Sequence, residues 1–108
     1  MRLKILAVLM LCAPGAFAQT EAYWRTALHD LYRYDIAFDA CKDVTPSAAE
    51  MLRLEAAIAH VEEKSGLEED ELDELYGVVE REAANVPEFC KQWADAVARV
   101  QALPPDYR

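Results

Sequence analysis

From position 20 onward, apolar residues recur at intervals of three and four and hardly ever at two. That period fits helices, and with abundant alanine and few β-branched residues it leaves no stretch that reads as a strand. The first helix is expected from about Glu21 to Cys41. Trp24, Ala27, Leu28, Leu31, Tyr34, Phe38 and Cys41 form one stripe, and Tyr32, Ile36 and Ala40 widen it beyond half the circumference. Such a helix is either the most buried of the set or one that meets a partner.

The second helix is expected to start at Thr45-Pro46, with threonine as cap and proline at the first helical position. Ser47 and Glu50 offer an overlapping capping box. Met51, Leu54, Ile58 and Val61 make its inner face, and Gly66 ends it. Leu67 and Leu72 have the spacing of a hydrophobic staple opening a third helix, whose first turn (Glu68, Glu69, Asp70, Glu71) suits the positive end of the helix dipole. Leu72, Leu75, Tyr76 and Val79 carry its stripe. Gly77 inside it implies a bend or a close contact, since glycine there costs about 1 kcal/mol relative to alanine. Asn85 and Pro87 separate a fourth helix bearing Phe89, Cys90, Trp93, Val97 and Val100, which Pro104-Pro105 end. The tail, Asp106-Tyr107-Arg108, is expected to be loose.

The N-terminus reads as an address. Arg2 and Lys4 precede an apolar run from Ile5 to Cys12, then Pro14-Gly15 and Ala16-Phe17-Ala18. A basic start, a short apolar core and an A-x-A ending are the parts of a cleaved secretory signal peptide, 1–18, with 19–108 as a single helical domain. The apolar run is too short to span a bilayer, so no membrane span is expected in the processed form. Leu11 before Cys12 lacks the small side chain that lipoprotein processing needs. Cleavage after Ala18 removes two basic residues and takes the net charge from −9 to −11. It places the domain in a bacterial periplasm or outside the cell. The acidic balance excludes nucleic acid as a partner, because neutralising phosphates takes a basic surface.

Processing also leaves only Cys41 and Cys90. An even pair in an exported chain reads as a disulfide, two buried free thiols being the alternative. Cys41 ends the first helix and Cys90 lies in the first turn of the fourth. In an up-down bundle of about four helices these two ends share a pole. The bridge would contribute about 4 kcal/mol in the chain-entropy model.

Catalysis finds no support. Ser47 and Ser65 read as turn or cap residues, and His29 and His60 have no convergent nucleophile. No glycine-rich phosphate loop, haem-attachment run or zinc spacing occurs, so no cofactor and no metal is expected. An EF-hand register set on Gly66 puts Leu72 where the closing glutamate belongs. Asp70, Asp73 and Glu74 would at most hold a cation weakly from one helix face. Tyr23, Trp24, Tyr32 and Tyr34 crowd the first helix and are the candidate partner-binding residues, since interfaces favour these side chains.

The leading expectation is therefore a small exported, non-catalytic protein acting through a protein partner or through self-association, with its acidic third helix steering it toward basic partners. The leader, the small helical domain and the Cys41/Cys90 spacing resemble the periplasmic acid-stress chaperones of the HdeA type. That resemblance implies a bundle that opens in acid. Protonating every carboxylate and both histidines would swing the processed chain from −11 to +11. A weakly cation-binding acidic protein is the third alternative.

Overall fold

The structure is a computed structural model that describes residues 20–107. The expected signal peptide and its cleavage site lie outside the described residues. Five α-helices follow in order: α1 Glu21–Ala40, α2 Ala48–Ser65, α3 Glu69–Asn85, α4 Phe89–Gln92 and α5 Ala96–Gln101. A 3₁₀ turn, Pro105–Tyr107, closes the description, and no strand occurs among the described residues.

Helix α1 is the axis of the fold, packing against α2, α3 and α5. It buries Leu28, Leu31, Tyr32, Tyr34, Ile36 and Ala37, more residues than any other element supplies. The broad apolar arc thus makes α1 the most buried helix. Facing it are Leu54, Ala57 and Val61 of α2, Val79 of α3, Phe89, Ala96, Val100 and Tyr107. Val79 is the one fully enclosed residue of α3, with Leu72, Leu75 and Tyr76 half-buried beside it. The acidic helix is consequently the least embedded of the three long ones.

Local chemistry sets the helix ends. Thr20 caps α1 by accepting the Tyr23 N–H at 3.1 Å. The second helix begins later than expected. Ser47, not Thr45, is its cap, accepting the Glu50 N–H at 3.3 Å while Glu50 accepts the Ser47 N–H at 2.8 Å. The reciprocal box satisfies two orphan donors where Thr45 would satisfy one, and Pro46 lies just outside it. Leu54 and Val61 are buried as expected and Ile58 packs on the core, but Met51 is 47% exposed and Leu52 66%, and Ala57 joins the inner face. At the C-terminus of α2, Gly66 is left-handed at φ 72°, and a Cβ there would run into the Glu21 carboxylate. Arg25 Nε reaches the Ser65 carbonyl at 3.2 Å, and the buried Ser65 hydroxyl donates to Glu62 O at 2.7 Å.

Two further expectations are corrected. Gly77 marks no tight contact: α3 runs unbroken through it, and a Cβ would meet only the Arg81 side chain at 3.5 Å. The fourth helix is split. Ala96 N–H bonds back to Trp93 O at 3.0 Å, a three-residue step that breaks the α-helical ladder between α4 and α5. Alanines on either side of Asp95 favour continued helix, so tertiary contacts impose the break. The Trp93 ring lies against Tyr34 (5.7 Å) and between the Arg33 and Arg99 guanidinium groups at 5.5 and 4.8 Å.

The C-terminal segment is held rather than loose. Arg53 donates to the carbonyls of Val100 (2.9 Å) and Leu103 (2.6 Å), and Gln101 to Glu50 (2.7 Å). Tyr107 is buried, with its ring near those of Trp24 and His60. Cys41 and Cys90 form a disulfide, Cα atoms 5.5 Å apart, tying the end of α1 to α4.

Three outcomes test this account by urea unfolding. Gly66→Ala should lower stability by about 1–2 kcal/mol, since it forces a side chain into left-handed backbone. Gly77→Ala should raise it by about 0.5–1 kcal/mol. Reducing the disulfide should lower it by about 2–4 kcal/mol.

Candidate docking groove

Three depressions that share lining residues lie along α1 beside α2 and α3. The central one, about 350 Å³, is lined by Tyr32, Asp35, Ile58, Glu62, Glu69, Leu72, Asp73 and Tyr76. A second of about 350 Å³ shares Tyr76 and adds Ile36, Asp39, Glu80 and Ala83. A third of about 140 Å³ shares Asp35 and Asp39 and adds Phe38, Pro46, Met51, Leu54 and Glu55. Together they make one groove with an aliphatic and aromatic floor.

Its rims are acidic on every side. Asp35 and Asp39 come from α1 and Glu55 and Glu62 from α2. Glu69, Asp73 and Glu80 come from α3. No lysine, arginine or histidine lines any of the three depressions. The ion pairs among the described residues use Glu21, Asp30, Glu82, Glu88 and Asp95 instead, so none of the seven rim carboxylates has a cationic partner.

Two tyrosines organise the middle of the groove. Tyr32 donates its hydroxyl to Glu62 at 2.6 Å, and Tyr76 donates to Asp35 at 2.8 Å. Their rings meet edge to face, 5.0 Å between centroids. Burial first, and then the carboxylate each one bonds, push both phenols well above the usual tyrosine range. Both therefore stay protonated donors, and each holds one carboxylate oxygen in a fixed place. Such an arrangement attracts cationic groups over an apolar floor and has no nucleophile–base pair.

The four aromatics singled out in the sequence do not form one surface. Tyr32 and Tyr34 are buried, Tyr32 under the groove and Tyr34 against Trp93. Tyr23, 43% exposed, and half-buried Trp24 sit at another place, with His60 and Tyr107. The Tyr23 and Tyr107 hydroxyls there lie 3.1 Å apart. The proposed carboxylate trio also divides. Asp73 lines the groove while Glu74 lines a separate depression of about 440 Å³, with Arg25, His29, Leu67, Leu75 and Val78. Sequence reasoning missed Tyr76 and every rim carboxylate but Asp73 as site residues. Their available signal was acidic residues at helical spacing beside the apolar stripe: Asp35 and Asp39 on one helix, Glu69 and Asp73 on another.

His29 lies against the α1–α3 contact, its Nε2 buried and without a hydrogen-bond partner. Burial, and then the nearby Arg33 guanidinium, lower its pKa, outweighing Glu82 and Asp30. Arg33 is itself bonded to Glu82 of α3 (2.9 Å) and to Asp30 (2.8 Å). No family model, curated protein or solved structure matches this chain.

A histidine lowered in the fold binds its proton more readily when unfolded. Its neutral state therefore adds nothing above the ordinary histidine pKa of about 6.5, and stability falls as pH drops from there through the lowered value. Urea titrations across that window should show His29→Gln with a flatter decline than the parent and the same pH dependence above about pH 7. Equal slopes would remove His29 from the account.

Proposed function

We propose that this chain is a small exported, non-catalytic binding protein that takes a basic segment of a partner protein into the acid-rimmed groove between α1, α2 and α3. The observation that carries the reading is the set of seven rim carboxylates without cationic partners, set around an apolar floor. A partner helix or strand bearing lysine or arginine beside aliphatic side chains meets both requirements. Its cations approach the rims and its apolar residues cover Leu72, Ile58 and Met51. Electrostatic attraction of this kind accelerates encounter and weakens with salt. Self-association through the same groove is disfavoured, because two acidic rims would face each other.

An acid-triggered release of α3 is the second reading, and its specific support is His29. Charging that buried nitrogen would strain the α1–α3 contact, which has Val79 as the one fully enclosed residue of α3 beside the Arg33–Glu82 and Tyr76–Asp35 bonds. Periplasmic or extracellular export rests on the leader-like N-terminus, and the disulfide is compatible with an oxidising compartment.

Binding of a lysine-rich amphipathic peptide, followed by calorimetry at low and high salt, tests the main reading. The double reversal Asp39→Lys/Asp73→Lys should weaken binding by about tenfold or more, a loss of about 1.4 kcal/mol. Glu63→Lys, an exposed position off the groove, should change it far less. Equal effects from both variants, or no binding at low salt, would refute the groove as the docking site.

A further inference from the structure

The disulfide is asymmetric, and the asymmetry is independent of the groove. Cys41 is 4% exposed, enclosed where α1 ends, and its loop is fixed by Cys41 N–H to Ala37 O (3.1 Å) and Val44 N–H to Cys41 O (3.0 Å). Cys90 is exposed, on a four-residue helix whose neighbours Glu88, Lys91 and Gln92 are also exposed. Thiol–disulfide exchange needs the attacking thiolate, the attacked sulfur and the leaving sulfur nearly in line, and its rate depends on which sulfur is reachable. Exposure of Cys90 favours attack on its sulfur. Cys41, 4% exposed, offers an incoming thiolate far less access.

We infer that Cys90 is the receiving sulfur for thiol exchange on the native fold, making the Cys41–Cys90 bond a latch that an external dithiol can open. In the first step a thiolate of the dithiol bonds to Cys90 Sγ and the disulfide breaks. The electron pair leaves on Cys41 Sγ, which takes a proton from water. In the second step the remaining thiolate of the dithiol attacks its own sulfur in the mixed disulfide and releases the Cys90 thiolate. The dithiol ends as a disulfide, and the protein gains two electrons as two cysteines. Opening the latch removes the covalent tie between α4 and the end of α1, leaving buried Phe89 as the anchor of α4. Arg53, bonded to the Val100 and Leu103 carbonyls, still holds the following segment on α2.

The test uses the oxidised protein with glutathione as probe, acid quenching and peptide mass mapping, and dithiothreitol for the reduction rate. Early adducts should lie on Cys90 over Cys41 by about tenfold or more, as access dictates. Reduction should be first order in dithiothreitol and indifferent to low urea. Adducts on Cys41 at equal or greater yield would overturn the assignment. So would a reduction rate that saturates with thiol and climbs with urea, which is the mark of exchange through global unfolding.

Discussion

The structure depends on α1 being covered from several directions at once. A helix apolar over more than half its surface cannot rest on one neighbour, so α2, α3 and α5 each take a part of it. This division explains why the other elements are individually modest. The third helix encloses Val79 alone, and α4 and α5 are short pieces fitted to what remains. Each depends on α1 more than on its own propensity, since helices this short are not stable in isolation. A small domain built around one rod benefits from covalent and polar ties at its edges. The disulfide supplies one, and the arginine contacts to main-chain carbonyls supply others.

The same division creates the groove. Because α3 packs on the core through Val79 and the half-buried Leu72, Leu75 and Tyr76, its exposed acidic residues Glu69, Asp73 and Glu80 lie beside that apolar contact. Carboxylates from three helices thereby border one apolar floor. Among them, Asp35 and Glu62 are fixed by tyrosine hydroxyls, which orients two acceptors before any partner arrives. Orientation in advance reduces the ordering cost of association.

How much of this was legible in the sequence follows from the range of each interaction. The three long helices could be read because their periodicity and caps are local: Ser47 with Glu50, Gly66, the acidic first turn of α3. The Cys41–Cys90 tie was legible because the helix order already brought those ends together. The break between α4 and α5 was not, since it follows from Trp93 meeting Tyr34 and two arginines distant in the chain. Met51 was misassigned because it lies in the first turn of α2, beyond the reach of the core that Leu54, Ile58 and Val61 still face. The tail was expected loose because nothing in Asp106-Tyr107 announces a cluster with Trp24 and His60. The groove was the least legible feature: its residues carry no motif and become a site only where three helices converge.

The two tryptophans stand in different surroundings, and that difference makes the molecule its own optical gauge. Trp24 is ringed by Tyr23, His60 and Tyr107. Trp93 is clasped by guanidinium groups and Tyr34. Emission from the first reports whether the C-terminal turn is seated, and emission from the second whether the kinked segment is in place. Single-tryptophan versions would thus separate a stepwise loosening from a concerted one without any attached dye.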